Sequence, residues 1–317
     1  MSDAASLRAA HSAARSGAGS PTDSLWDRIE RLVPFEYLAI MPALIATTVV
    51  MLVPLAYSFG LSFWRYILTD PRNTRFIGLE NYQQALSDST FLASLQTTAV
   101  FTVGTVGAQM LLGMAFAVVV SGLTFGQGIV RTAMLVPIFM TPAVAAFMWR
   151  FMLHPDLGIV GYFTNMAGFG RPVWLGDPKL ALFSVMAVDV WRNTPFMFLV
   201  FLAGMQSLPA ELYEAAAVDG ASAWHRFSRI TLPLLKPLIL VALIIRGMDA
   251  LREFDILYIL TGGGPGNATE TIALATHRYS FRNYNMGLGS AVSYIIFVIV
   301  FAVSLLFVRQ MRKAQVE

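Results

Sequence analysis

An all-α membrane protein that crosses the bilayer six times is the fold class that this sequence predicts. Hydrophobic residues make up 56% of the 317 residues and charged residues only 13%, whereas soluble domains contain about 25% charged residues. The mean hydropathy is +0.62. Six separate apolar runs each approach the roughly 20 residues that a transmembrane helix needs. Lipid is therefore the expected solvent for most of the chain.

The first 36 residues are predicted to form a disordered cytoplasmic tail that ends in a short interfacial helix. Ala, Ser and Gly dominate up to about residue 23, a composition that cannot bury enough apolar surface to fold. Ser24 can then cap a short amphipathic helix. Its Arg28 and Arg31 are expected to lie toward phosphate headgroups.

Residues 37–308 are predicted to form one transmembrane domain of six spans. Residues 309–317 follow as a second cytoplasmic tail. The spans are expected at Tyr37–Phe59, Gln96–Ser121, Val130–Phe151, Leu180–Met205, Leu232–Tyr258 and Gly289–Val308.

Lys and Arg residues orient the chain. With a cytoplasmic N-terminus, the inside segments hold eleven basic residues and the outside loops hold eight. Basic residues favour the cytoplasmic side, and the short basic tail Arg309–Lys313 agrees with an even number of spans. Both termini, and the loop at residues 207–233, are therefore expected in the cytoplasm.

That loop is predicted to be a helix-turn-helix of small residues. Glu211–Ala217 forms the first helix, with its acidic residues at the end that the helix dipole favours. Gly220 ends it, because glycine readily adopts a positive φ. Ser222 can cap a second helix that runs to Ile230. Pro233 either stops that helix or enters the next span.

Charged side chains interrupt the second half of the fifth run. Arg246, Asp249 and Glu253 are spaced to share one helical face. Unpaired charges in hydrocarbon cost several kcal/mol, so these residues must face a partner, an aqueous cavity or the outer interface. A pair between Arg246 and Asp249 within the helix is one explanation, and it leaves a cavity-lining role open.

A second polar group lies in the fourth run. Asp189, Trp191, Arg192 and Asn193 precede Pro195, which favours a kink. An indole ring beside Asp, Asn and Arg suits a sugar, which presents hydroxyls and a weakly apolar ring face. Trp191 suits an interfacial aromatic belt equally well. We take both groups together as the candidate substrate pathway.

Four segments carry a family resemblance. One segment contains Glu214-Ala215-Ala216, then three residues, Gly220, nine residues and Ile230-x-Leu232-Pro233. This spacing resembles the signature loop of permease subunits of ATP-binding-cassette importers. The segments W-x-N-T-P-F, R-x6-E-F-D-I-L-Y and T-G-G-G-P-G are similar to the maltose and glycerol-phosphate type. The resemblance extends from Phe35 to the C-terminus.

The resemblance implies a type I ABC importer permease fold in a bacterial inner membrane. Implied partners are a second, related permease, two ATP-binding subunits, an external solute-binding protein and membrane lipid. ATP and Mg would be held by the ATPase, and this chain would bind no cofactor. The residues implied to contact or couple to the ATPase are Glu214, Ala215, Ala216, Asp219, Gly220, Ala221, Ile230, Leu232 and Pro233.

Two other function classes compete with this interpretation. An ion-coupled secondary transporter or channel could use Asp189 and Asp249 as ion sites, but no internal repeat is visible in the sequence. An intramembrane enzyme would need a catalytic group at depth. The sequence has no cysteine, four isolated histidines and no phosphate-binding loop. Neither a metal, a catalytic residue nor a nucleic-acid partner is expected. The resemblance implies a sugar, glycoside, polyol or sugar-phosphate-like solute and does not select among them.

Overall fold

The structure, a computed structural model, describes residues 35–314. The predicted interfacial helix of the N-terminal tail lies outside that range. The chain divides into two compact units, Met1–Tyr57 and Ser58–Glu317. In the first, helix α1 (Phe35–Thr47) passes through a π-helical turn (Thr48–Leu52) into α2 (Val53–Leu61), which enters the second unit.

The second unit is almost entirely helical. A two-stranded antiparallel sheet, with Trp64 opposite Phe76, is the one sheet in the described range. The elements that follow α2 are β1 (Trp64–Arg65), β2 (Arg75–Phe76), α3 (Glu80–Ser87), α4 (Ser89–Ser121), α5 (Gln127–Phe139), α6 (Pro142–Met152), α7 (Ile159–Met166), α8 (Pro178–Gln206), α9 (Ala210–Val218), α10 (Ala223–Arg226), α11 (Leu232–Leu251), α12 (Asp255–Leu260), α13 (Ile272–His277) and α14 (Met286–Ala314).

Six spans are present if one broken helix pair is counted as a span. Five helical stretches within residues 35–314 are long and apolar enough to cross a membrane. The sixth is the pair α5 and α6, which meet at an angle of 96°. The all-α, polytopic fold class is confirmed. The five continuous spans are Ile40–Leu61, Ser89–Ser121, Pro178–Gln206, Ala223–Leu251 and Met286–Leu306.

The third and fifth spans differ from the sequence prediction. Val130–Phe151 was expected to be one helix, but the chain breaks at Met140, and Thr141 caps α6 by accepting a hydrogen bond from Val144 N. Proline at the first position of α6 suits a new helix start and cannot continue the old one. The predicted fifth span to Tyr258 is also too long, because α11 ends at Leu251.

Helices α4 and α8 form the centre of the second unit. A Cβ at Gly113 of α4 would lie 2.6 Å from the Met197 Cβ and 2.9 Å from the Phe198 backbone nitrogen of α8. Small residues let membrane helices approach this closely. Phe198 and Phe201 of α8 are completely buried near this contact, in one core cluster with Met197.

The loop helix α10 and the fifth span form one continuous helix. Ser222 caps its start by accepting a hydrogen bond from His225 N at 3.2 Å. A π-helical turn at Phe227–Thr231 joins α10 to α11 without a break. Pro233 follows this π-helical turn inside the continuous helix, and local π-type adjustments let membrane helices tolerate the missing N–H of a proline. Of the two alternatives for this proline, entry into the span is therefore correct.

Candidate functional site

The α9–α10 loop is shaped by its backbone. Ala221 N donates to Ala216 O at 2.9 Å and Gly220 N to Ala217 O at 3.1 Å, the pair of bonds that defines a Schellman helix end. Gly220 has a φ of +74°, which a side chain would strain. The prediction that Gly220 ends the first loop helix with a positive φ is thus confirmed.

The loop presents its signature residues outward. Tyr213 fixes the loop to the fifth span, because its hydroxyl lies 2.8 Å from the Thr231 hydroxyl. Exposed apolar side chains, Val218 and Trp224, accompany the exposed backbone of Gly220. Among the predicted coupling residues, Glu214, Ala215, Asp219, Gly220, Leu232 and Pro233 are exposed, and Ala216, Ala221 and Ile230 are half-buried.

A second site lies at membrane depth, where four polar side chains from three helices meet. Arg246 of α11 donates from Nη2 to Asp189 Oδ1 at 2.9 Å and Oδ2 at 2.8 Å. Its Nε donates to Gln109 Oε1 of α4 at 2.9 Å. Gln109 and Asn193 in turn each donate to Asp189 at 2.8 Å. We call these four residues the buried polar cluster.

The buried polar cluster contains a fully desolvated ion pair. Asp189 and Gln109 have no exposed surface, and Arg246 is 4% exposed. Removing two charges from water costs several kcal/mol each, which only a well-formed pair with further hydrogen bonds offsets. The two amides supply those bonds. The cluster therefore holds α4, α8 and α11 in one fixed register.

Two details of the predicted pathway are wrong. Arg246 does not pair with Asp249 within the helix, since Asp249 Oδ1 accepts a bond from Arg252 Nη2 at 2.6 Å on the surface. Glu253 does not share a helical face with Arg246, because α11 ends before it. Arg246 instead pairs with Asp189 of α8, because a buried arginine needs an opposite charge to offset its loss of hydration.

A crevice of about 280 Å³ opens beside the cluster. At its edge, Arg192 Nε donates to the Met140 carbonyl at 3.3 Å, so the break in the third span supplies a free acceptor. Asp189 lies behind the crevice wall, and Trp191 is outside the lining, edge-on to Trp149 at 5.5 Å. The lining residues are Pro142, Arg192, Asn193, Arg246, Asp249, Arg252, Glu253, Phe254 and Asp255.

Glu253 is the titratable group of the crevice. Burial, followed by the nearby charge of Asp189, raises the pKa of Glu253 from 4.5 to about 7. Its Oε1 accepts a bond from Ile256 N at the start of α12 at 3.4 Å. This carboxyl therefore changes charge near neutral pH.

Sequence reasoning missed Gln109 and Tyr213. Gln109 is the one amide in the interior of the second apolar run, and that position was the available signal. Nothing in the sequence marked Tyr213, whose partner is 18 positions away. No group of three or more His, Cys, Asp or Glu residues within the described range could hold a metal.

The described part of the chain thus combines helices long and apolar enough to span a membrane, a polar crevice and an exposed helix-turn-helix, a combination typical of a membrane transport subunit. Residues 109–313 match the family described as the binding-protein-dependent transport system inner membrane component. The chain belongs to this family. It is a permease component of an ATP-binding-cassette importer and not the ATPase.

Curated relatives cover most of the chain. It is 40% identical to the trehalose/maltose transport system permease protein MalF of Thermococcus litoralis over 276 residues, which is 86% of this chain and 92% of the relative. It is 37% identical to the trehalose permease SugA of Mycobacterium tuberculosis over 274 residues, 86% and 87% of the two chains. It is 35% identical to the sn-glycerol-3-phosphate permease UgpA of Agrobacterium fabrum over 271 residues, 84% and 91% of the two.

Solved structures share the fold. A chain of a bacterial ABC transporter involved in alginate import superposes with a TM-score of 0.78 at 22% identity, covering 92% of this chain and 99% of that one. A second structure of the bacterial alginate transporter, in complex with an alginate-bound periplasmic protein, gives 0.77 at 22% identity, with 92% and 98% covered.

Proposed function

We propose that this permease transports an uncharged sugar and is driven through its α9–α10 loop by a separate ATPase. A second, related permease completes the pathway, two ATP-binding subunits hold ATP and Mg, and a solute-binding protein delivers the sugar from outside. Both termini and the loop lie in the cytoplasm. The family membership supports this assembly, because the chain contains no nucleotide-binding loop.

The observation that carries the coupling proposal is the continuous helix from Ser222 to Leu251. Ser222 caps it at the loop, and Arg246 of the buried polar cluster lies on it 24 positions later, about 36 Å at 1.5 Å per residue. An ATPase that moves the loop therefore moves the wall of the crevice. Alternating access follows if closure of the ATPase turns the crevice outward and hydrolysis returns it inward.

The loop has the surface that a docking partner needs. Ala215 and Ala221 permit close backbone approach, Glu214 and Asp219 offer exposed carboxylates, and Trp224 is 74% exposed. Apolar and charged groups exposed together on a shaped knob are typical of a protein interface. Ile230, Leu232 and Pro233 lie where the knob joins the membrane span, so they fit a packing role at its base.

A matched pair of glycines tests coupling. Gly220 and Gly126 both have a positive φ, +74° and +76°, and a Cβ at either would meet no atom within 4 Å. Valine therefore introduces similar backbone strain at both. In the reconstituted complex we expect Gly220→Val to reduce ATP-driven uptake at least tenfold while assembly persists, and Gly126→Val to retain most uptake. Equal uptake in the two variants would contradict the coupling role.

The charge balance of the crevice supports an uncharged substrate. Three arginines and three carboxylates, those of Asp249, Glu253 and Asp255, line it together. Each arginine already donates to an acceptor of this chain: Arg246 to Asp189, and Arg252 to Asp249, while Arg192 donates to Asn193 Oδ1. A phosphate in this crevice would be repelled by the lining carboxylates, whereas sugar hydroxyls can donate to those carboxylates and accept from the arginines.

Some relatives are named as trehalose or maltose permeases and others as sn-glycerol-3-phosphate permeases. Uptake by the reconstituted complex distinguishes these two kinds of solute. We expect ATP-dependent uptake of radiolabelled trehalose or maltose and none of sn-glycerol 3-phosphate. Uptake of the phosphate ester would overturn the charge argument and leave the permease role intact. The ion-coupled alternative gains no support, because Asp189 and Asp249 are both paired with arginine.

A further inference from the structure

Helix α7 and the turn after it carry an apolar face that the described protein does not cover. Ile159, Tyr162 and Phe163 are each more than half exposed, Met166 is 76% exposed, and Phe169 is 79% exposed. Their spacing of three and four positions places the four helical residues on one side of α7. Five large apolar side chains on one short exposed surface require a partner.

The side of α7 that faces the protein is the less apolar one. Gly161 is buried there, and Val160 packs beside Leu153 against the core of α4, α6 and α8. Thr164 satisfies its hydroxyl by donating to Val160 O at 3.1 Å. The helix is therefore amphipathic with its apolar side outward, the reverse of a helix on a soluble domain.

Close backbone packing fixes this orientation. A Cβ at Gly158 would lie 2.3 Å from His154 O, and one at Gly161 would lie 3.0 Å from Pro155 O. Only glycine permits this approach at position 158 without a shift of the backbone. His154 Nδ1 also accepts bonds from the backbone N–H groups of Asp156 and Leu157 at 3.3 Å. Helix α7 is thus set rigidly against the end of α6.

The apolar face continues a surface that lipid must cover. Helix α6 is half of the broken third span, and its Phe147 and Phe151 are 51% and 76% exposed. Phe151 lies eight positions before Ile159, with one tight turn between them. Beyond the helix, exposed Arg171 follows Phe169 by two positions. Aromatic rings beside a basic residue at a span's end are typical of the membrane interface.

We propose that α7 and Phe169 lie in the membrane interface, with the apolar face in the acyl-chain region and Arg171 at lipid phosphates. The bilayer then anchors the outer end of α6, whose other end borders the crevice. This contact with lipid does not depend on which solute is transported.

A single-cysteine fluorescence experiment tests the contact. The chain has no cysteine, so Phe163→Cys or Met166→Cys each creates one site for a bimane label. Asn165→Cys is the matched control, since Asn165 is exposed on the same helix but at the edge of the apolar face. Each labelled protein is purified with its bound subunits and placed in nanodiscs that contain either brominated or ordinary phospholipid.

We expect brominated lipid to quench bimane at 163 and 166 at least twofold more strongly than at 165, and aqueous iodide to show the opposite order. Quenching by iodide at 163 and 166 would mean that the face lies in water and would overturn the proposal. Protection from both quenchers would mean that another protein subunit covers the face, which also overturns it.

Discussion

The buried polar cluster and the α9–α10 loop contain similar residues in opposite environments. In the cluster, Asp189 and Arg246 are held by side-chain hydrogen bonds and have almost no exposed surface. In the loop, Glu214 and Asp219 are exposed, and backbone bonds around Gly220 set the shape. Yet one continuous helix, Ala223–Leu251, begins at the end of the loop and contains Arg246 of the cluster.

The difference indicates that the cluster and the loop have different roles. A desolvated ion pair that loses one partner leaves an unpaired buried charge, so the cluster is sensitive to any substitution. Exposed carboxylates and alanines contribute little to the stability of the chain itself. The loop side chains are thus free to serve a partner, whereas those of the cluster are committed to the fold.

The largest expected effect is the loss of Arg246. We expect Arg246→Ala to lower the free energy of unfolding by about 3–5 kcal/mol, because it leaves Asp189 buried and unpaired. Arg252→Ala breaks an ion pair whose arginine side chain is 71% exposed, and should cost at most about 1 kcal/mol. Thermal unfolding in detergent measures both. Similar losses in the two variants would contradict the contrast between buried and exposed charge.

The next largest effect on stability is expected from the titration of Glu253. This residue is half-buried, between the buried polar cluster and the exposed loop. Its pKa is raised from 4.5 to about 7, so the folded state favours the protonated form. The stability that this preference contributes is complete below pH 4.5 and is lost as pH rises through 7. We expect the loss between pH 5 and 8 to be on the order of 2 kcal/mol.

Glu253→Gln is the control for that titration. Glutamine keeps the shape of the protonated carboxyl and cannot ionise, so the variant should lose the part of the pH dependence that Glu253 supplies. Thermal unfolding at several pH values compares it with the parent protein. An unchanged pH profile would show that other groups cause the dependence.

The smallest expected effect is that of Tyr213→Phe. This change removes the hydroxyl that lies 2.8 Å from Thr231 and keeps the ring, so stability should fall by only about 0.5–1.5 kcal/mol. If the loop drives the span, however, ATP-driven uptake should fall severalfold as the loop loses its fixed angle. Uptake that tracks the small loss of stability would argue against transmission through this contact.

The loop could be predicted from sequence because its determinants are local. Gly220 ends α9 and Ser222 caps α10 through bonds that reach at most five positions. The helix-forming and helix-ending preferences of these residues act over the same distance. The predicted first helix, Glu211–Ala217, accordingly lies within the observed Ala210–Val218.

The buried polar cluster could be predicted only in part. Charge in an apolar run marked Asp189 and Arg246 as residues needing partners, but the partner of Arg246 lies 57 positions away and Gln109 lies 137 positions away. Helical spacing favours the local pair with Asp249, and tertiary packing overrides it. The 96° break of the third span is a similar case: Pro137 and Pro142 lie on either side of it, but neighbouring helices decide the angle.

The unbroken helix from Ser222 to Leu251 also makes chain length a functional quantity. Each residue of an α-helix turns the chain by about 100° and advances it by about 1.5 Å. Inserting one residue between Lys236 and Pro237 would swing Arg246 by over a quarter turn relative to the loop. Insertion of a whole number of turns restores the angle but pushes the guanidinium past Asp189. The number of residues from the loop to Arg246 therefore sets both the distance and the rotation between them. No insertion or deletion in this helix preserves both.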